Sequence, residues 1–319
     1  MVGYALRRIL YLVPVLVGVS LLAYSLIDIA PGDPARIILE RHGDPPISQA
    51  EVEAFRHELG LDDPFPIRYG RWLSDAITGD LGTSFTTGRA VLPEVWTRFG
   101  ITMQIAVPAF LLGLAIAMPL GIVAAVRRNR AADHASRVIA LMGASMPIFW
   151  LAFLLILFFA VWLGVLPVSG RGGWRHAALP VATLGVTAAA GLMRLVRASL
   201  LEVLHQDFIR TATARGLPRR TVVLSHGLRN AMLPVLTLAG LRFGHLLGGA
   251  VIIETVFAWP GIGKHIVDAI FARDYPTIQG FVLLIGVVFV SINLLVDLSY
   301  TWLDPRVRLG QRLRGTGAQ

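Results

Sequence analysis

Long apolar stretches alternate with polar connections along the chain. Six of these stretches are about as long as the ~20-residue helix that crosses a bilayer. They cover Tyr4–Ile29, Ile101–Val126, Ile139–Leu166, Leu179–Val196, Leu233–Phe257 and part of Pro276–Trp302. This pattern predicts an all-α, polytopic membrane protein with six transmembrane helices.

The first apolar stretch has two interpretations. It follows Arg7 and Arg8, and a basic start before an apolar run is also the pattern of a cleavable signal peptide. The run is longer than a signal peptide needs, and no small-x-small cleavage site follows it. We therefore interpret it as a retained transmembrane helix.

A polar region with short helices lies between the first and second stretches. Ser48–Leu59 is expected to be helical, because Ser48 can cap it and Glu51 completes a capping box three residues later. Tyr69–Ile77 is expected to form a second short helix. The predicted regions are therefore 1–30, the polar segment at 31–98, a membrane core at 95–303 with a polar loop at 197–231, and a basic tail at 304–319.

Composition agrees with a membrane protein and narrows its chemistry. Of the 319 residues, 55% are hydrophobic and only 15% are charged, and the mean hydropathy is +0.66. A net charge of +9 would suggest nucleic-acid binding in a soluble protein, but nothing else in the sequence supports that partner. The chain has no cysteine, which excludes disulfides and cysteine-based metal or redox chemistry.

The arginines follow a membrane topology. Short cytoplasmic loops are enriched in Arg and Lys. With both termini in the cytoplasm, the inner segments hold Arg7, Arg8, Arg127, Arg128, Arg130, Arg137, Arg197, Arg210, Arg215, Arg219, Arg220, Arg229, Arg306, Arg308, Arg312 and Arg314. The two short outer links hold only Arg171, Arg175, Lys264 and Arg273. This bias predicts six crossings of the lipid bilayer, with region 31–98 outside.

One polar, basic segment interrupts the apolar core, and we call Asp207–Thr237 the basic segment. Leu201, Leu204, Phe208 and Ala212 recur at helical spacing and predict a short helix with one apolar stripe. Gly216 then favours a helix end with positive φ, and Pro218 bars simple continuation. A second helical run is expected from about Arg219 to Ala231. A plain solvated loop is the alternative, but such a loop needs neither the stripe nor the glycine break.

The basic segment resembles the cytoplasmic loop of ABC importer permeases, whose signature reads E-A-A-x3-G-x9-I-x-L-P. Arg210-Thr211-Ala212, three residues and then Gly216 occupy its first half, whereas Arg210, His226 and Arg229 replace the Glu, Ile and Pro. The variant R-T-A-x-A-x-G-L followed by H-x-L-R-N-A-x-L-P is similar to the dipeptide, oligopeptide and nickel permease subfamily. The phrases PGDP, LGLDDP, RYGRWL and GDLGTSF in region 31–98 resemble its B-type subunit.

The resemblance implies a type I importer permease fold and a set of partners. These are a second, homologous permease in a heterodimer, two cytosolic ATPase subunits and an external substrate-binding protein. ATP and Mg would bind to the ATPases, and this chain would bind no cofactor and no metal. The residues implied to couple this chain to an ATPase are Asp207, Arg210, Thr211, Ala212, Arg215, Gly216 and Leu217.

Three polar residues in the fifth apolar stretch are candidates for lining the pore, because charges inside a membrane usually face water or a partner. Arg242 and His245 are i,i+3 neighbours on one helix face, where they could meet a substrate carboxylate. Glu254 lies nine residues beyond His245 and heads the phrase ETVFAWPGIG, which resembles the family. The alternatives are a polar contact with the partner permease, snorkelling of Arg242 to the membrane interface, or a structural role, which we favour for Glu254.

Evidence for an enzyme is weak. Ser145 and His245 are the only Ser–His pair suited to an intramembrane protease, and Ser145 is better explained as a hydroxyl beside Pro147. Gly261-Ile-Gly263-Lys264 lacks the spacing of a phosphate-binding loop. We therefore expect a transport subunit without its own ATPase site.

The cargo and the class of transporter each leave an alternative. Di- or oligopeptides are the favoured cargo, with nickel or a nickel chelate as the alternative. A stand-alone channel or ion-driven carrier is the alternative of another class. A carrier would be expected to show inverted halves and buried acidic residues at mid-span, and a coupling segment would have no use in it.

Overall fold

The computed structural model describes residues 2–29, 32–42, 47–58 and 60–303. Apart from one bridge between Thr83 and Ala90, these described residues contain no β-structure, which confirms the all-α prediction. The helices are α1 (Val2–Ile29), α2 (Pro34–His42), α3 (Gln49–Glu58), α4 (Phe65–Thr78), α5 (Val91–Val126), α6 (Ala131–Ser145), α7 (Ile148–Leu155), α8 (Trp174–Leu204), α9 (Asp207–Ala214), α10 (Arg219–Thr221), α11 (Leu228–Val256), α12 (Ile262–Phe271) and α13 (Tyr275–Leu303). The predicted basic tail at 304–319 lies outside the described residues.

Membrane-spanning candidates match the predicted stretches closely. Within the part of the chain that the structure describes, five helices are long and apolar enough to cross a bilayer, or six crossings if one bent pair counts as a span. The five are Leu10–Ile29, Val91–Val126, Trp174–Leu204, Arg219–Val256 and Tyr275–Val296. The bent pair consists of α6 and of α7 with its π-helical continuation, Ile156–Trp162.

The third predicted span is not one continuous helix. Helix α6 ends at Ser145, and the next helix runs at 104° to it. Met146 has a ψ of 125°, the extended conformation that a following proline favours, and Pro147 has no N–H to continue the helix. The sequence did not indicate this break because membrane helices often tolerate proline.

The chain divides into two compact units. One comprises Met1–Ile101 and Lys264–Val290, and the other comprises Thr102–Gly263 and Ser291–Gln319. The boundary predicted at 95–98 falls inside the single helix α5, so the described fold has no linker there.

In the first unit, the polar region is organised around short helices, as predicted. Ser48 and Glu51 form the expected capping box: the Ser48 N–H donates to the Glu51 carboxylate at 2.7 Å, and the Glu51 N–H donates to the Ser48 hydroxyl at 3.2 Å. These hydrogen bonds, the one from the Ser48 backbone first, lower the pKa of Glu51. Helix α4 begins four residues earlier than expected, at Phe65, because Pro66 is accommodated in its first turn. Helix α2 was not predicted.

A buried aspartate ties the polar region of this unit to the start of α13. The Asp274 side chain, 2% exposed, accepts hydrogen bonds from the Ser84 hydroxyl at 2.5 Å, the Phe85 N–H at 3.0 Å and the Thr277 hydroxyl at 3.0 Å. A buried carboxylate is costly unless hydrogen-bonded, so these contacts offset its desolvation. They explain the GDLGTSF phrase structurally, since Ser84 and Phe85 belong to it.

In the second unit, helix α8 lies at the centre and packs tightly against α5. A Cβ on Gly121 would lie 2.8 Å from Val196 Cβ, and a Cβ on Gly185 would lie 2.9 Å from the Ala109 carbonyl oxygen. Such close approach of small residues is how helices pack in lipid. The expectation that the fourth span lies inside the bundle is confirmed.

An ion pair joins α6 to α8 in the same unit. Asp133 is fully buried and accepts from Arg197 at 2.6 Å and 2.9 Å, in a bidentate arrangement. It also accepts from the Asn129 N–H at 2.9 Å, in the turn after α5. Bidentate pairing satisfies both carboxylate oxygens and fixes the orientation of α6 against α8.

Candidate functional site

The basic segment folds as predicted into a short helix, a sharp turn and a second helix. Helix α8 ends at Leu204, His205 and Gln206 separate it from α9, and α9 covers only eight residues. The turn places Gly216 at a φ of +77°. Pro218 then precedes α10, as its N-cap.

The predicted apolar stripe is wrong in its register. The stripe assumed one continuous helix through Leu204 and Phe208, but the break after Leu204 changes the rotation of α9 relative to α8. In α9 the buried side chains are Ile209 and Ala212, at 5% and 8% exposure, whereas Phe208 is 39% exposed. Ile209 and Ala212 pack against Val222.

The turn at Gly216 is a Schellman motif. The Leu217 N–H donates to the Ala212 carbonyl at 3.4 Å, and the Gly216 N–H donates to the Thr213 carbonyl at 3.0 Å. This pair of bonds closes a helix whose following residue is left-handed. A Cβ on Gly216 would meet nothing within 4 Å, so only the backbone conformation selects glycine here.

Most of the residues implied to couple to an ATPase lie on the exposed side of this motif. Asp207 and Arg210 form a solvent-exposed pair, with Arg210 Nη1 3.3 Å from the Asp207 carboxylate. Thr211, Arg215 and Gly216 are exposed, and Leu217 is 38% exposed. Ala212 is the exception, because it faces inward. The structure therefore presents a polar helix face and a tight turn as one continuous surface.

The second helical run continues further than expected. A short helix from Arg219 to Ala231 followed by a separate span was predicted. Instead, α10 leads into a π-helical stretch, Val222–Gly227, and then directly into α11, so that one helix runs over Arg219–Val256. Pro234 lies inside this helix without ending it.

Two basic side chains of neighbouring spans form an exposed cationic patch, of which the sequence analysis found only one. Arg242, midway along α11, is exposed, and its guanidinium carbon lies 3.0 Å from where a Cβ on Gly191 of α8 would be. Arg194 is also exposed and lies three residues beyond Gly191, on the same face of α8. No ion pair to either arginine occurs among the residues that the structure describes. Arg194 was overlooked because it lies close to the basic end of its span.

The other two candidates differ in position. His245 is exposed, one turn from Arg242 on α11. Glu254 is fully buried and takes the structural role that was favoured for it: the Thr102 hydroxyl donates to its carboxylate, and the Ile262 N–H donates to the Thr102 hydroxyl at 2.9 Å. The structure therefore brings Arg242 and His245 together and places Glu254 apart from them.

Two glycines make room for the Glu254 carboxylate. A Cβ on Gly261 would overlap that carboxylate, and a Cβ on Gly263 would lie 2.9 Å from Glu254 Oε2 and 2.6 Å from Val251 Cα. The Trp259 N–H also donates to the Glu254 carbonyl at 2.8 Å. The phrase ETVFAWPGIG is therefore a folded unit, which we call the Glu254 latch, in which Glu, Trp and both glycines have defined contacts.

Comparison with known families gives matches along nearly the whole chain. Residues 117–309 match the family described as binding-protein-dependent transport system inner membrane component. Residues 1–106 match the N-terminal region of the corresponding membrane component.

Individual proteins agree with the family matches. The dipeptide transport system permease protein DppB of Alkalihalophilus pseudofirmus is 40% identical over 97% of this chain and 100% of its own length. The glutathione transport system permease protein GsiC of Escherichia coli K12 is 43% identical over 97% of this chain and 99% of its own. A chain of the methionine ABC transporter MetNI, solved in inward-facing conformations, superposes with a TM-score of 0.54, at 22% identity over 66% of this chain and 96% of that one.

Proposed function

Because the chain belongs to the family of binding-protein-dependent transport system inner membrane components, we propose that it imports di- or oligopeptides as half of a transmembrane pore. The chain is a permease subunit of an ABC importer and a multi-pass membrane protein. The observation that carries the peptide assignment is that the relatives named for a dipeptide and for glutathione, itself a peptide, align over nearly their full lengths.

The remaining partners follow from the same premise. We propose that a second, homologous permease completes the pore, that a binding protein delivers the cargo outside, and that two ATPase subunits bind ATP and Mg in the cytoplasm. The exposed surface of α9 and its Schellman turn supports the assignment of this segment as the ATPase contact. An ATPase-binding surface must be exposed in the isolated chain, and Asp207, Arg210, Thr211 and Arg215 meet that condition.

The cationic patch supports a cargo that carries a carboxylate. A charged side chain inside a bilayer costs about 2.5–3.5 kcal/mol on insertion scales, so exposed arginines within spans are expected to face water or a partner. Arg242 lies over Gly191 with its donors unused by any ion pair among the described residues. A guanidinium can donate two parallel hydrogen bonds to a carboxylate, and every peptide with a free C-terminus has one.

Nickel remains the alternative cargo, with weaker support. Imidazole is a suitable nickel ligand, and His245 is exposed on α11. However, the described residues contain no group of three or more His, Asp and Glu side chains placed to hold a metal ion. A peptide cargo therefore fits the exposed chemistry of α8 and α11 better.

Peptide uptake with and without a terminal carboxylate tests this proposal. In cells that depend on this transporter, Arg242→Gln is expected to lower uptake of a labelled free-acid dipeptide about tenfold, since a charge-assisted hydrogen bond contributes about 1.5–3 kcal/mol. Uptake of the same dipeptide with an amidated C-terminus should change little between wild type and variant. His245→Ala should reduce uptake only modestly.

Equal losses for both peptides would exclude carboxylate recognition by Arg242. Loss of nickel-dependent enzyme activity on gene deletion, with peptide uptake unchanged, would instead establish the nickel alternative. Arg194→Gln provides the matched second variant, because it removes the other exposed charge of the same patch.

The proposed topology has both termini in the cytoplasm and region 31–98 outside. Reporters fused after Arg130, after Arg220 and at the C-terminus are expected to give a cytoplasmic signal, and a reporter near Gly88 an external one. The arginine distribution motivates this expectation. A cytoplasmic signal near Gly88 would refute the six-crossing topology.

A further inference from the structure

A cleft lies between the basic segment and the ends of two spans, all within the second unit. Its volume is about 380 Å³, within the range of ligand pockets. The walls come from the last residues of α5, the last turn of α8, helix α9 and the π-helical stretch after α10. The proposed coupling to an ATPase gives this cleft no role.

The floor of the cleft is apolar. Val126, Leu204, Ile209 and Val223 line it, together with other aliphatic side chains. A hydrocarbon chain in this space would replace water at an apolar surface, which is favourable in proportion to the area covered. The floor alone would accept many apolar groups, and the edge of the cleft narrows the choice.

The edge of the cleft is basic. Arg128 donates to His205 Nε2 at 3.3 Å, and His205 Nδ1 donates to the Leu201 carbonyl at 2.6 Å, which makes this imidazole neutral in the described arrangement. Arg219 donates to the Val126 carbonyl at 3.2 Å, across the end of α5. Each guanidinium has five N–H groups, so donors remain for a ligand. None of the described residues that line the cleft is acidic.

The cleft lies at the depth where the spans leave the bilayer. Its walls include Ala125 and Val126 at the end of α5 and Leu201 and Leu204 at the end of α8, and both helices are membrane-span candidates. Arginines at such a position meet lipid headgroups, and basic pockets between spans on the cytoplasmic side bind anionic ones. A ligand here would therefore have to be negative at one end and apolar at the other.

We propose that this cleft binds one anionic phospholipid, whose phosphate contacts Arg128 and Arg219 and whose acyl chain enters along the apolar floor. The volume accommodates a phosphate and the first part of one chain, and the remainder of the lipid stays in the bilayer. The lipid would connect the ends of α5 and α8 to Ile209 and Thr213 of α9. It would thereby hold the basic segment in position, so that coupling depends on the lipid. The cytoplasmic assignment of this lipid rests on the proposed topology.

Lipid retention by two charge-matched double variants tests the proposal. The complete transporter is reconstituted in nanodiscs of phosphatidylcholine mixed with phosphatidylglycerol, extracted mildly, and its bound lipids are quantified by mass spectrometry. Arg128→Gln/Arg219→Gln is expected to lose the retained phosphatidylglycerol several-fold. Arg130→Gln/Arg220→Gln removes the same charge from exposed positions outside the cleft and should retain it. Substrate-stimulated ATPase activity should fall in phosphatidylcholine alone for the wild type.

Further arms separate the other outcomes. Arg128→Lys/Arg219→Lys keeps the charge and should recover lipid retention, which distinguishes binding from a folding defect. Equal retention by both glutamine double variants would overturn the proposal, as would displacement of the lipid by inorganic phosphate alone. Retention by the isolated chain but not by the complete transporter would show that an ATPase subunit covers the cleft. Nanodiscs expose both leaflets to the same lipids, so a wrong topology would not change these results.

Discussion

Gly261→Ala is expected to destabilise the protein strongly while adding only one methyl group. The new Cβ would overlap the Glu254 carboxylate, which is fully buried and cannot move to solvent. Overpacking of this kind costs about 1–3 kcal/mol, and a rigid backbone position lies at the upper end of that range. The apparent unfolding temperature in detergent should therefore fall by about 5 °C or more. Gly248→Ala is the matched control, since its Cβ would meet nothing within 4 Å.

A double-mutant cycle identifies the cause of that loss. Glu254→Ala removes the carboxylate that the new methyl group would contact, so Gly261→Ala should cost much less in that background. The Thr102 hydroxyl also lies within contact of the new Cβ, and some residual cost is expected. Strictly additive effects of the two substitutions would show that the Glu254 latch does not determine the need for glycine at position 261.

Gly216→Val is expected to leave membrane insertion intact and to lower substrate-stimulated ATPase activity several-fold. With φ at +77° and open space around it, the position selects glycine by backbone conformation alone. A left-handed conformation costs an L-residue about 1–2 kcal/mol, and valine is among the least tolerant. The strain would open the Schellman turn and turn the exposed face of α9 away from its partner.

Gly216→Asn is the control at the same position, because asparagine adopts the left-handed region more readily, and it should keep most of the stimulated activity. Reversing Arg210 and Arg215 to Glu should lower that activity without affecting the turn. Normal stimulated ATPase activity in Gly216→Val would remove the basic segment from the coupling mechanism.

The sequence predicted features that depend on local chemistry. The capping box at Ser48 and the glycine turn at Gly216 are encoded within a few residues, and the structure contains both. The apolar lengths of most spans were equally readable, because a bilayer imposes a nearly fixed length on a helix. The resemblance of the basic segment to importer permeases identified the family.

Other features depend on contacts that sequence spacing does not contain. Thr102 and Glu254 are 152 positions apart, so their pairing could not be inferred from either neighbourhood. The break at Pro147 could not be distinguished from the prolines that α5 contains without interruption. Phe208 was assigned to the wrong face because a two-residue break changes the register of every later side chain.

The uninterrupted helix over Arg219–Val256 acts mechanically as a lever. At about 1.5 Å per residue, Arg219 lies about 55 Å from the Val256 end and Arg242 about 21 Å from it. If the Val256 end stays fixed, a sideways displacement imposed at Arg219 reaches Arg242 reduced to about two fifths. A movement of the basic segment thus shifts the exposed guanidinium by a smaller step in the same direction, and bending at Pro234 would reduce that step further.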